Sequence, residues 1–304
     1  MIIDWRCSNH DKWIHPAVVF LLGYALSGAP ARTHADDSAD KLSAASVAAS
    51  EAQTKKIQLE IRQLRNNEWA GEYYFRDGLG VNVRLVLAPE NGFVFSWHGC
   101  LGLYDLNYGS VDFSNGSVKL LFKHTNAQRG FRGIAPELLP IRWGDRHYLI
   151  PVNEIMEFTN AINAGTEPAL SGGRSYRFLL RRGDEKKAVR GLPRLPAEYL
   201  SNILPTPVET KISSVLQTRI EKSRRITYVA LGAGTAEGLK KGMELYVHNP
   251  ATVYAQATVT AVDEHSARAV IEQEEFELRD PAPSVGWRLS TKLTEESCQS
   301  NNTK

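Results

Sequence analysis

The chain has 304 residues, of which 42% are hydrophobic and 23% are charged, and its formal net charge is +2. This composition is ordinary for a globular protein, and the length suffices for two domains of typical size. The near-neutral charge argues against a general nucleic-acid-binding protein.

The amino terminus carries the pattern of a secretory signal peptide. Arg6 and Lys12 precede an apolar stretch at residues 17–26, and small residues acceptable to a signal peptidase follow it. The apolar stretch is shorter than the roughly 18–20 residues that span a bilayer. We therefore expect residues 1–35 to be cleaved, leaving a periplasmic or extracellular protein without an integral membrane span. An uncleaved signal that anchors the chain is the alternative.

A short helix is predicted after the signal. Ile57, Ile61 and Leu64 follow one another at helical spacing, whereas the rest of residues 36–67 is rich in Ala, Ser and charge, as in a flexible tether. We expect a short amphipathic helix that leads into the first domain.

Residues 68–182 predict a β-rich, barrel-like module with one helix. Apolar residues alternate with polar ones, and tight turns are expected at Asn91-Gly92, Asn115-Gly116 and Gly144-Asp145. A hairpin with one apolar face must pack against another sheet or helix, or close into a barrel, to bury that face. The predicted strands begin at Trp69, Val81, Phe93, Gly109, Val118, Pro140 and Arg174, and the predicted helix covers 152–161.

The remaining chain predicts a linker and a second barrel. Four prolines stiffen residues 183–207, with a short helix expected at 197–203. Five or six short strands then favour a small all-β barrel at 208–293, with predicted strands at 226–231, 243–247, 252–262, 267–272 and 286–293. The predicted fold class is thus mainly β, with two small β-barrel-like modules joined by a Pro-rich linker. A disordered tail is expected at 294–304.

Two motifs resemble parts of known functional sites, but the other parts of those sites are missing from the sequence around them. Gly232-x-Gly234-x-x-x-Gly238 leaves no room for the helix that a dinucleotide site needs before the next strand. In Trp97-His98-Gly99-Cys100, the histidine and cysteine lack the further groups of a zinc site or a catalytic set. We expect Cys100 to be a core residue unrelated to Cys298, and we predict no metal or cofactor.

If the first module binds a ligand, polar and aromatic residues in its loops are the candidates. Asp145, Arg146 and His147 form the densest such cluster, and a Gly-rich loop could present guanidinium groups to a carboxylate or phosphate. The candidate ligand-binding residues are Trp97, His98, Tyr104, Arg129, Arg132, Asp145, Arg146 and His147.

Charge is segregated along the chain. Residues 174–225 hold 13 Lys or Arg against 5 Asp or Glu, whereas 263–280 is mainly acidic. The basic stretch could meet an anionic envelope surface, or the two stretches could pack together. It lacks the interleaved aromatic residues that favour single-stranded nucleic acid.

Two segments resemble known families. Trp69-Ala-Gly-Glu-Tyr-Tyr, ahead of the hairpins up to residue 125, resembles the opening of lipocalin-type barrels and implies an apolar pocket for a small ligand. Tyr228 to Val247, with Ala257–Asp263 and Gly286–Leu289, resembles the small β-barrels of envelope and flagellar assembly proteins, which act by protein contact. As a whole, the chain resembles exported bacterial proteins.

Three functions follow as hypotheses. The first is a non-enzymatic cell-envelope protein that acts by contact with a protein partner or surface. The second is a carrier of a small apolar ligand in the 68–182 module. The third is an envelope hydrolase built around His98, Asp145 or His147. A packed first barrel with exposed apolar strand edges would favour the first, and a deep apolar cavity would favour the second.

Overall fold

The computed structural model describes residues 41–64, 67–76, 82–127, 133–167, 178–250, 255–274 and 280–293. In these residues the chain is mainly β, with two closed barrels and a few helices, which confirms the predicted fold class. The expected signal peptide and carboxy-terminal tail lie outside the described residues. None of the helices within the described ranges is long and apolar enough to cross a bilayer.

The first barrel is an eight-stranded meander in which each strand pairs antiparallel with the next and the last strand pairs with the first. Its strands are β1 (Gly71–Arg76), β2 (Asn82–Ala88), β3 (Gly92–Gly99), β4 (Gly102–Ser114), β5 (Ser117–Phe122), β6 (Glu137–Trp143), β7 (Arg146–Pro151) and β8 (Leu179–Arg181).

Alternation along the strands separates a buried face from a charged one. The register places Tyr73, Leu85 and Phe95 side by side, and all three are buried. On the opposite face of the same strands, Glu72 and Arg84 form an ion pair at 2.9 Å. Because side chains alternate across a strand, the first set faces the barrel interior. Large apolar side chains fill this interior as a packed core.

Two-residue turns fix the register of the first barrel. Asn115 and Gly116 both have positive φ, at 52° and 75°, which matches the twist of the β4–β5 hairpin. Asparagine and glycine tolerate this backbone region better than other residues. The hairpins expected at Asn115-Gly116 and Gly144-Asp145 turn on those residues, whereas the β2–β3 hairpin pairs Ala88 with Gly92 and turns on the three residues 89–91.

Helix α1 (Ala44–Gln63) precedes the barrel and is longer than its apolar stripe predicts. It begins after Ser43, whose hydroxyl accepts a hydrogen bond from the backbone N–H of Ser46, and its alanines favour the helical state. Ile57 is fully buried against the barrel. The Glu60 carboxylate accepts the backbone N–H groups of Glu90 and Asn91, so the helix also orders the β2–β3 turn.

A buried ion pair fixes the start of α1 on the first barrel. The Lys41 Nζ lies 2.9 Å from Oδ1 of Asp105, and both side chains are almost fully buried. The other carboxylate oxygen of Asp105 accepts the backbone N–H of Gly133. Since each charge has lost its water, each depends on the other.

The second barrel consists of six strands: β9 (Glu209–Glu221), β10 (Arg224–Leu231), β11 (Glu244–Asn249), β12 (Gln256–Val262), β13 (Ala267–Gln273) and β14 (Arg288–Ser290). They lie in the order β10-β13-β12-β11-β14-β9, and β9 closes the barrel by pairing with β10. Helix α2 (Ile155–Ala164) belongs to the same compact unit, where its Asn160 Nδ2 donates to the backbone carbonyl of Gly242. A short helix α3 (Ala197–Leu200) precedes the strands.

The buried ion pair gives a stability prediction. Lys41→Met removes one charge and leaves the Asp105 carboxylate buried without its counter-ion, which costs about 3 kcal/mol of the free energy of unfolding. Urea denaturation of the full chain measures this loss. Lys55→Met, at an exposed position of helix α1, is the control and changes stability by less than about 0.5 kcal/mol. Equal effects of the two substitutions would contradict the structural role of the pair.

Candidate functional site

The structure distributes the predicted ligand residues over two ends of the first barrel. Trp97, His98 and Tyr104 lie beside the β3–β4 turn, whereas Asp145, Arg146 and His147 lie at or beside the β6–β7 turn. Odd and even strands of a meander run in opposite directions, so these two turns are at opposite ends of the barrel. The predicted residues Arg129 and Arg132 lie outside the described residues.

At the β3–β4 end two of the predicted side chains are open to solvent. His98 and Tyr104 are exposed, and the Tyr104 ring lies over Gly99 so closely that a Cβ there would clash. Cys100 is exposed in the turn, so the interpretation of this cysteine as a core residue is wrong. The strand β3 ends at Gly99, so Cys100 lies after it and does not take part in the inward–outward alternation of side chains.

The three predicted residues at the β6–β7 end have different roles. The buried Arg146 donates to the carbonyl oxygens of Lys187 and Glu185 at 2.6 and 3.0 Å, so it holds the segment that follows β8. Asp145 is exposed, and its nearest ion-pair partner among the described residues is Arg142 at 4.0 Å. His147 lines a pocket.

This pocket, which we call the Trp69 pocket, has a volume of about 330 Å³. Aromatic side chains form one part of its wall, and charged side chains form the rest. The Trp69 and Phe113 rings stack with their centroids 5.1 Å apart and an interplanar angle of 18°. The lining residues are Glu68, Trp69, Tyr73, Phe113, Pro140, Ile141, Arg142, His147, Tyr148 and Arg194.

Hydrogen bonds orient His147 in this wall. Its Nδ1 lies 2.8 Å from Oδ2 of Asp184, which also accepts the backbone N–H of His147. The Lys187 Nζ lies 2.6 Å from the other oxygen of the same carboxylate. Burial alone would raise the pKa of Asp184, but these hydrogen bonds from Lys187 and His147 outweigh it and hold that pKa below its ordinary value. The ionised carboxylate therefore keeps the proton of His147 on Nδ1 and leaves Nε2 as the other polar atom of the ring.

The described lining of the Trp69 pocket holds no serine, threonine or cysteine beside His147. Burial raises the pKa of Tyr148 to about 12, so this phenol stays neutral. Nowhere in the described ranges do three His, Cys, Asp or Glu side chains come together as potential metal ligands.

A second candidate is the outer edge of β9. Strand β9 pairs with β14 only from Glu209 to Lys211, and the Ile212 N–H donates to the carbonyl of Trp287. Beyond that point its inner edge continues to pair with β10, but no strand in the described part of the chain pairs with its outer edge at residues 213–221. We call this stretch the β9 edge.

Apolar side chains are exposed along the β9 edge. Leu216 is 53% exposed, Ile220 is 67% exposed and Val215 is 38% exposed. The tip is a two-residue turn in which Lys222 and Ser223 both have positive φ, so the hairpin is tight and projects these side chains into solvent. An unpaired strand with exposed apolar residues is a template for strand addition.

Strand β9 and its exposed residues were not predicted from the sequence. Ile212, Val215, Leu216 and Ile220 follow helical spacing, which hides a strand from a pattern search. The alternation is absent because the outer half of β9 buries neither face and contains bulges. The available signal was the β-branched content around the Lys222-Ser223 turn.

The Asp184 network gives a pH prediction. The pKa of Asp184 in the folded state lies below the unfolded value of about 3.9. The ionised carboxylate therefore stabilises the fold above that pH, and this stabilisation is lost as the pH falls through the folded-state pKa. We expect Asp184→Asn to lower the free energy of unfolding by about 1–3 kcal/mol at neutral pH. The free energy of unfolding of this variant should also fall less than that of the parent as the pH is lowered. Urea denaturation between about pH 2 and pH 7 measures both effects.

The exposed Asp145 provides the matched control for this prediction. Asp145→Asn should follow the parent curve over the whole pH range, since its carboxylate makes only a long ion pair. Parallel curves for the parent and Asp184→Asn would contradict the role of the network.

Comparison with known proteins adds no assignment for either candidate site. No family model, curated protein or solved structure matches the chain.

Proposed function

We propose that the protein is a non-enzymatic, exported cell-envelope protein that binds an extended segment of a protein partner at the β9 edge. The observation that carries this proposal is the apolar outer edge of β9, with which no strand in the described ranges pairs. An added strand would supply hydrogen-bond partners to the backbone groups of this edge, and its side chains would cover Leu216 and Ile220. Export is supported by the signal-like pattern at residues 1–35.

The packed interior of the first barrel supports this function over that of an apolar carrier. Tyr73, Phe93 and Phe95 are fully or almost fully buried there and form one continuous cluster with the aliphatic residues. Side chains that fill a small barrel leave no room for a ligand along its axis. A lipocalin-like role of the first barrel, which its strand number also permits, is therefore the weaker proposal.

The charged residues in and beside the β9 edge specify the partner. Within the edge, Glu221 is already paired with Arg219 at 3.1 Å. Lys211 and Lys222 flank the edge, are exposed and have no ion pair with a described residue, against one such carboxylate, that of Glu209. A second copy of this chain would bring the same excess of cations to the interface, but an acidic strand would neutralise it. The partner segment is thus an extended one in which apolar and acidic residues alternate.

A peptide titration tests this function. A synthetic nine-residue peptide with alternating valine and glutamate should bind the full chain in isothermal titration calorimetry, and a valine–lysine peptide should not. Leu216→Lys should weaken binding about tenfold by removing an apolar contact at the edge. The control Leu200→Lys lies at an equally exposed position (54%) in helix α3 and should leave binding unchanged.

Three outcomes would overturn the proposal. They are equal binding of the two peptides, equal effects of the two leucine substitutions, and a dimer in light scattering that Leu216→Lys dissociates. The last would assign the β9 edge to a second copy of the chain.

A further inference from the structure

The Trp69 pocket lies at one end of the first barrel, where Trp69 and Tyr73 join it to the packed core, and it shares no residue with the β9 edge. It lies where the chain enters β1, beside the β4–β5 hairpin and the β6–β7 hairpin. Its volume of about 330 Å³ is at the low end of the range for small-molecule sites. A ligand that fits is therefore small, and the lining decides its chemistry.

The aromatic part of the lining offers a flat apolar surface. Trp69 is buried beneath Phe113, but Phe113 itself is 45% exposed at the end of β4. Exposing such a ring costs free energy that a second planar group could recover by stacking against it. Tyr73 and Tyr148 are buried beside the pair and extend the apolar floor.

The charged part of the lining has an excess of unsatisfied guanidinium groups. The Arg142 Nε donates to the carbonyl of Gly144, but its terminal nitrogens lie 3.9 Å from Glu68 and 4.0 Å from Asp145. These distances are too long for hydrogen bonds. The exposed Arg194 side chain has no partner among the described residues. Two guanidinium groups against one carboxylate, that of Glu68, leave the lining positive.

Guanidinium groups and aromatic faces select the same class of ligand. A guanidinium binds a carboxylate through two parallel hydrogen bonds, which neither Glu68 nor Asp145 makes with Arg142. His147, held by Asp184, adds a polar atom to the same wall. We infer that the Trp69 pocket binds a small aromatic carboxylate, with its ring against Phe113 and its carboxylate held by Arg142 and Arg194.

The site differs from the apolar pocket that a lipocalin-type resemblance implies. That pocket would occupy the barrel interior, which here is filled by Phe93, Phe95 and their neighbours. The Trp69 pocket instead lies at one end of the barrel, where residues that precede β1 and follow β8 join side chains of four strands, among them Tyr73 and Tyr148. Its ligand is consequently an anion with a flat body and not a long apolar chain.

Titration with 2-naphthoate, followed by nuclear magnetic resonance of the full chain, tests the inference. Arg142→Gln and Arg194→Gln should each weaken binding about tenfold, because each removes a charge-assisted hydrogen bond. Phe113→Ala should weaken binding by a similar factor through lost stacking. Arg190→Gln, an exposed arginine of the same segment that does not line the pocket, should leave the affinity unchanged.

A neutral analogue separates the two parts of the site. 2-Naphthalenemethanol keeps the ring system and loses the carboxylate, so it should bind at least tenfold more weakly. Leu216→Lys at the β9 edge should not alter naphthoate binding, which keeps this test independent of the proposed function. Absence of shifts at the lining residues, equal binding of the neutral analogue, or equal effects of Arg190→Gln and Arg142→Gln would overturn the inference.

Discussion

Every backbone N–H and C=O group in a sheet needs a hydrogen-bond partner, since leaving such a group buried and unpaired costs about 1–3 kcal/mol. The protein meets this requirement twice by closing a sheet on itself. In the first barrel the short β8 pairs with both β7 and β1, so three residues complete a barrel of eight strands. In the second barrel β9 completes the closure with only part of its length.

The same constraint locates both candidate sites. Where closure is complete, the interior is filled, and side chains at the barrel end become available for a pocket, as with Phe113 and Arg142. Where β9 extends past its closing partner, backbone groups and apolar side chains face solvent. Natural proteins usually shield such an edge with charge, a bulge or a covering segment. Here Lys211, Arg219 and Lys222 supply charge and the register shifts at Ser213 and Leu216 supply bulges, but Leu216 remains exposed.

Much of the fold follows from local patterns, and the failures have physical causes. Asn115-Gly116 could be predicted as a turn because few residues tolerate two consecutive positive φ values. The first half of β4 was not predicted, because Asp105 and Asn107 occupy buried positions where an apolar residue is expected. Their burial depends on Lys41 and on the backbone of His124, which are distant in the sequence.

The candidate sites were predictable only in part for a related reason. His147 was found because polar and aromatic residues cluster beside it in the sequence. Its partner Asp184 and the pocket residues Trp69 and Arg194 come from segments that only barrel closure brings together. The β9 edge was missed because both faces of its outer half are exposed, so apolar and polar residues do not alternate along it.

Amide hydrogen exchange of the free protein, resolved residue by residue, tests the central claim most directly. If the β9 edge is the unpaired edge of an otherwise closed barrel, the outward-facing amides among residues 213–221 exchange rapidly while the amides of β10 and β13 remain protected. Uniform protection of residues 213–221, comparable to that of β10, would contradict the account, because it would mean that this edge is already covered.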